Sequence, residues 1–390
     1  MARRVAQNAV TVILPILPAS RLGLEIHLRM IGDDVMANTQ LRFDSTPSTH
    51  FARWVVLKSI SGESGARLLF SAWFDGELED YARELSKNLG SGLEEIWRHC
   101  RGYAPGTALN PDALEVFFRE FALAPTRLTP QISLCAFPGA TARRIREAIR
   151  AREAFEDDLD RLSGSGPAGG PPPPGASSGA GTAGSNGPGF SSWFFRRLID
   201  WLVGVRRGAS EGNSVVTTST PDREAEDRVV QNSMTIVSEI KPGIRAWLVL
   251  RLALLIGQFN KPSPSGQHSG VSTIHFARWI VIDGGRNLLF ESNYDGSWES
   301  YIDDFGDLAH IGMDLIWGNC TGFPKGGSLD IDAFKKVIRD HQHPAVVFYS
   351  AYPATTVTNI FNDQIIENDR SSAGRGRALE LVKSGYYPLT

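Results

Sequence analysis

The stretch Ser48-Thr-His50-Phe-Ala-Arg53-Trp54-Val-Val returns as Ser272-Thr-Ile-His275-Phe-Ala-Arg278-Trp279-Ile-Val, and this recurrence decides the fold. Working outward, Leu68-Leu-Phe70, Phe74-Asp75-Gly76 and Tyr81 recur as Leu288-Leu-Phe290, Tyr294-Asp295-Gly296 and Tyr301. Ile96-Trp97, Cys100 and Gly102-Tyr103 recur as Ile316-Trp317, Cys320 and Gly322-Phe323. Gln7-Asn8 and Thr11 match Gln231-Asn232 and Thr235 upstream, and Ala136-Phe137-Pro138 matches Ala351-Tyr352-Pro353 downstream. The order is kept throughout, which is the signature of an internal duplication.

Periodicity gives each copy the order β-α-β-β-α-(α)-β-α. In the second copy, strands are predicted over Ser233–Ile240, Thr273–Ile282, Asn287–Tyr294 and Ala345–Ser350. An apolar helix is predicted over Ile244–Phe259. A long helix capped by Ser297 reaches about Cys320, a shorter one covers Asp332–Asp340, and a last one covers Thr355–Glu367. Asp283-Gly284-Gly285-Arg286 reads as a hairpin turn, because glycine supplies positive φ. That turn sets Arg278 opposite Glu291, Phe276 opposite Asn293 and His275 opposite Tyr294. Arg278, Glu291 and Asn293 then share one sheet face, with Arg278–Glu291 as a cross-strand ion pair, and His275 and Tyr294 share the other face.

The expected class is α+β, with two ferredoxin-like repeats packed face to face as an intrachain pseudo-dimeric α+β barrel. The expected division is residues 1–162 for the first repeat, 163–228 for a linker, 229–370 for the second repeat and 371–390 for a C-terminal tail. Ser163–Gly189 is almost wholly Gly, Pro, Ala and Ser, a composition that predicts disorder. Within the linker, residues 190–207 form an amphipathic helical pattern. Trp193, Phe194 and Trp201 stand among Arg196, Arg197, Arg206 and Arg207, a set suited to an anionic membrane surface.

Apolar residues make up 42% of the 390, charged residues 21%, and the formal net charge is −3, so no global field draws the chain to nucleic acid. Three scattered cysteines, Cys100, Cys135 and Cys320, make no disulfide framework and imply a reducing, cytoplasmic setting. The N-terminus lacks the clean apolar core of a signal peptide, and no run reaches the ~20 apolar residues of a membrane span. Walker A, HExxH and zinc-ligand spacings are absent from the sequence, matches to GxSxG and GxGxxG fall only in the Gly/Pro/Ser linker, and no metal site is expected.

The HFARW strand followed by LLF and [FY]DG resembles a group of uncharacterised bacterial tandem-repeat proteins, and the duplicated unit resembles the dimeric α+β barrel superfamily. Dye-decolorising haem peroxidases carry two such units in one chain. That resemblance implies haem as a cofactor, with Arg278 and Asp295, or Arg53 and Asp75, as a distal pair. The peroxidase GxxDG motif is reduced here to Asp-Gly, with Ser292 or Ala72 at the first glycine.

Comparing the copies points to a ligand pocket in the second. Ser71, Trp73, Leu134, Cys135 and Phe137 become Glu291, Asn293, Tyr349, Ser350 and Tyr352. The candidate pocket residues are Arg278, Glu291, Asn293, Asp295, Tyr349 and Tyr352, with Arg53 and Asp75 as first-copy counterparts. Two functions stand side by side: a module binding an unspecified small ligand, or acting as a scaffold, at a membrane surface, and a haem-dependent oxidoreductase with its pocket in the second repeat.

Overall fold

The computed structural model describes residues 6–58, 65–126, 130–163, 229–258 and 271–371. The amphipathic stretch with Trp193, Phe194, Arg196, Arg197 and Trp201, the Gly/Pro linker and the C-terminal tail lie outside the described residues. The protein is a mixed α+β structure with two four-stranded antiparallel sheets and, among the described residues, nine α-helices.

The first half runs β1 (Gln7–Pro15), α1 (Arg21–Gly32), β2 (Thr49–Leu57), β3 (Arg67–Asp75), α2 (Leu78–Trp97), α3 (Pro111–Phe121), β4 (Gln131–Cys135) and α4 (Ala142–Ser163). The second runs β5 (Gln231–Glu239), α5 (Ile244–Gly257), β6 (Ile274–Ile282), β7 (Asn287–Asp295), α6 (Trp298–Leu308), α7 (His310–Trp317), α8 (Ile331–His341), β8 (Ala345–Ser350) and α9 (Val357–Ser371). Ser297 caps α6 by accepting from the Ser300 amide. The single long helix expected from there to Cys320 is broken at Ala309, whose φ of −118° and ψ of 10° leave the helical range. The matching α2 in the first half is continuous over 20 residues.

The sheets have the orders β1-β3-β2-β8 and β4-β6-β7-β5, so each takes its fourth strand from the other half of the chain. In the first sheet Phe51 pairs with Ser350 and Arg53 with Phe348; in the second Ser133 pairs with Arg278 and Cys135 with Phe276. The chain entering each exchanged strand first touches its own sheet: the Leu123 amide donates to Thr11 O, and the His343 amide to Thr235 O, both at 2.8 Å. Isolated bridges Val12–Ala122 and Ile236–Gln342 mark these two seams beside the sheets. Gly32 and Gly257 admit the exchanged strands beneath α1 and α5. A Cβ on Gly32 would lie 2.1 Å from Val346 O, and one on Gly257 2.3 Å from Ile132 Cδ1.

The hairpin register is the expected one, with Arg278 opposite Glu291 and Phe276 opposite Asn293. His275 departs from it. Ile274, not His275, pairs with Tyr294, and a bulge follows. A bulge sets two residues against one and re-aims the extra side chain. It turns His275 inward beside Phe276, away from the face that alternation assigns it. Thr49/Phe51 carries the same bulge around His50.

Candidate functional site

Between the sheets the side chains fall into three zones. Near the β6–β7 hairpin the layer is apolar: Val55, Leu57 and Leu69 meet Val237, Ile280, Ile282 and Leu289. The Arg67–Asp283 ion pair, at 2.6 Å, ties the two sheets there. The middle zone is a polar belt, and the far end is a box of histidines and aromatic rings.

Arg53 and Arg278 hold equivalent places in the belt, each 1% exposed. Arg53 donates across the gap to Met234 O at 2.7 Å, Ser292 O at 3.0 Å, Thr235 Oγ1 at 3.3 Å and the Asn293 carboxamide oxygen. Arg278 makes longer bonds, to Thr11 Oγ1 at 3.2 Å and to Leu123 O and Gln131 Oε1 at 3.3 Å. Its Nε has no partner among the described residues. Burial pulls both guanidiniums below their ordinary value, and the Glu291 charge opposes that pull. Arg278 and Glu291 face each other without the expected direct ion pair. Thr11 stands between them, accepting from Arg278 and donating to Glu291 Oε2 at 2.8 Å. Glu291 Oε1 and Asn293 Nδ2 are buried without a partner among the described residues. Breaking such a belt costs more than its hydrogen bonds alone, because it strands charges in a low dielectric.

In the end box, His50 Nε2 lies 3.0 Å from Asp75 Oδ1, and His275 Nε2 lies 2.6 Å from Asp295 Oδ1. The second oxygen of Asp75 accepts from the Ala142 amide, and that of Asp295 from the Val357 amide, both at 2.7 Å. Each aspartate therefore caps α4 or α9, far along the chain, rather than the helix that directly follows its Asp-Gly pair. In each copy the imidazole Nε2 donates to the carboxylate and Nδ1 faces away from it. The two halves then diverge. His50 Nδ1 is 2.9 Å from the Tyr352 hydroxyl, and burial holds that phenol well above its ordinary pKa, so it stays a donor. The counterpart of Tyr352 is Phe137, whose ring centroid lies 5.8 Å from that of His275, and His275 Nδ1 has no partner.

Compared with known proteins, the chain matches no family model, no curated protein and no solved structure.

The residues singled out from sequence do not converge on one cavity. Arg278, Glu291 and Asn293 share the belt; Asp295 and Tyr352 lie in the histidine box. Tyr349 points to the opposite face of the first sheet, its ring stacked on Phe43 with centroids 4.8 Å apart. None of these six lines the cavities at the β1–β4 seam, beneath α5 or beside α4. Arg278 and Asp295, the pair implied for haem, bind separate partners in separate zones, as do Arg53 and Asp75, so neither pair frames a haem slot. Among the described residues no group of three His, Cys, Asp or Glu is arranged to hold a metal ion.

One cavity, about 330 Å³, opens at the β1–β4 seam beside Gln7, Trp73, Cys135 and Gly139. Gln7 separates it from His50: its Nε2 lies 3.5 Å from His50 Nε2, and its Oε1 accepts from Cys135 and the Gly139 amide. Burial pushes the Cys135 thiol well above its usual pKa, which makes it a donor and not a nucleophile. A second, apolar cavity of about 150 Å³ lies beneath α5, lined by Leu134, Ala253, Trp279, Phe305 and Met313 among others.

The histidine box, Gln7 and Gln231 were missed as inward groups. The histidines stand in both copies of the quoted motif, but strict alternation hides a bulge. The exchanged helix caps are equally silent in a one-dimensional pattern.

Proposed function

We propose that the protein is a ligand-binding or scaffold module that docks on a membrane surface through α5, and that its two halves are ferredoxin-like repeats closed as a pseudo-dimeric α+β barrel. Support for the barrel comes from the exchanged fourth strands, the matched bulges and the matched helix caps.

One observation carries the docking. Ile244, Leu248, Leu252 and Ile256 are 70%, 53%, 57% and 59% exposed and recur every fourth residue along α5. Leu255 is exposed beside them, with Arg245 in the same stripe. Contiguous apolar surface of this kind marks an interaction site. Among the described residues no helix is long and apolar enough to cross a membrane, so this helix would lie in the interface with its stripe toward the acyl chains. The apolar cavity beneath α5 is sized for a short hydrocarbon group, since cavities near 150 Å³ lined by apolar residues take benzene.

Co-sedimentation with phosphatidylcholine vesicles containing phosphatidylserine tests the reading. The intact chain is expected to sediment, and Leu248→Ser/Leu252→Ser/Ile256→Ser to lose at least about a hundredfold in partition, as three apolar side chains are removed from the interface. Equal sedimentation of both, or none by either, would remove the membrane reading. A Trp193→Ser/Phe194→Ser/Trp201→Ser variant measures separately what residues 190–207 add.

A further inference from the structure

A surface cavity of about 380 Å³ lies between α4 and the turn that precedes β2, lined by Asp44, Pro47, Arg143, Arg146, Glu147 and Arg150. The three arginines fall at i, i+3 and i+7, the spacing that puts side chains on one helix face. Arg146 is half-buried and anchored, donating to Pro47 O at 3.0 Å. It also lies against Tyr349, whose phenol burial pushes up to about 12 while Arg146 acts against that rise. Arg143 and Arg150 are exposed, and among the described residues neither has a carboxylate within ion-pairing distance. Asp44 is already paired with Arg42 at 3.0 Å, outside the arginine row.

The duplication supplies a control for what the fold requires at these positions. Ala142 and Val357 are equivalent, because each opens its helix under the matching aspartate cap. Counting from them, Arg143, Arg146 and Arg150 correspond to Thr358, Phe361 and Ile365. Helix α9 does the same structural work without any of the three. Arg143 also opposes the helix dipole: it stands with Arg144 in the first turn of α4, which has no acidic residue, where the helix end is already positive. Cationic side chains gathered round a cavity, one of them at a positive helix end, and absent from the duplicate fit an anionic ligand better than a packing role.

We propose that this cavity is a binding site for a phosphate-bearing ligand, with Arg143 and Arg150 as its free arms and Arg146 as its fixed wall. Planar guanidiniums take phosphate oxygens two at a time, and a pair of arms one helical turn and more apart spans two phosphates or a phosphate and its ester. Tyr349, against which Arg146 lies, comes from the exchanged strand β8, so the second half of the chain helps to hold the fixed wall. The site is independent of the α5 stripe.

The test uses the full chain at low ionic strength and two probes. Titration calorimetry with inorganic pyrophosphate is expected to give saturable binding that Arg143→Gln/Arg150→Gln weakens at least about tenfold. The control Arg83→Gln/Arg98→Gln, two exposed arginines elsewhere, is expected to leave it unchanged. Vesicles containing phosphatidic acid separate the sources. If only vesicle binding falls in the Arg143/Arg150 variant, the phosphate is a lipid headgroup; if only pyrophosphate binding falls, it is a soluble ligand; either result supports the site. Equal weakening by both double variants, or no loss with either probe, overturns it. All variants change exposed side chains, and an unchanged thermal midpoint confirms that each is folded.

Discussion

Helices α1 and α5 occupy the same place in the two halves, each ending in a glycine against an exchanged strand, yet they meet solvent differently. The outer face of α1 mixes Leu22, Ile26 and Met30 with Arg21, Arg29 and an Arg21–Glu25 pair at 2.7 Å. The outer face of α5 has Arg245 and otherwise large apolar side chains as far as Ile256. One position in the fold accepts both, so the apolar stripe of α5 is not required by the packing beneath it. The arginine row of α4 teaches the same thing in the opposite half. Where the duplicates agree, as in the Arg53/Arg278 belt and the His–Asp–helix caps, the residue serves the fold; where they differ, it is free to serve something else.

The belt gives the sharpest way to break this comparison. Arg53 has four acceptors across the gap and Arg278 three longer contacts, so Arg53→Met is expected to cost about 3–5 kcal/mol and Arg278→Met measurably less. Urea denaturation midpoints of the two variants decide it, and equal losses would make the two arginines interchangeable.

A smaller effect separates the seams. Leu123 holds the β1 seam, and its counterpart His343 holds the β5 seam. Burial lowers the His343 pKa to about 4, with Lys58, His341 and Arg67 adding to the effect. The folded state therefore binds fewer protons than the unfolded one between about pH 6.5 and 4. Its contribution is whole above that window and is lost as pH falls through it. With the ring partly solvated, the loss is expected to be about 1–2 kcal/mol. His343→Leu, which copies the first half, should remove that part of the acid destabilisation in chemical denaturation at pH 7 and pH 5. An unchanged pH slope would contradict the assignment.

The histidine box carries the smallest effect. Tyr352→Phe removes the donor to His50 and is expected to cost about 1 kcal/mol; Phe137→Tyr offers His275 Nδ1 the donor it lacks and is expected to gain up to about that much. Opposite signs in thermal unfolding are the expected result. Two losses would show that the His275 side has no room for a hydroxyl.

The duplication, the strand and helix order and the Arg278–Glu291 register were legible in the sequence because each rests on periodicity or on one turn. The exchange of β4 and β8 was not, since a strand of five or six residues pairs equally well with either sheet edge until the seam contacts at Leu123 and His343 are known. His275 was assigned to the wrong face because its bulge adds a residue that alternation does not count. The register places Arg278 opposite Glu291 and Phe276 opposite Asn293, while Tyr349 stacks on Phe43 and Tyr352, beyond the end of β8, reaches His50.

The most direct test of the docking account compares α5 with α1 in one molecule. A polarity-sensitive fluorophore is placed at Leu252→Cys or at Met30→Cys in a Cys135→Ser background, serine being the natural occupant of the equivalent position, Ser350. On addition of vesicles containing phosphatidylserine, a blue shift is expected from position 252 and none from position 30. No shift at 252, or equal shifts at both, would contradict the claim that α5 is the face that meets the membrane.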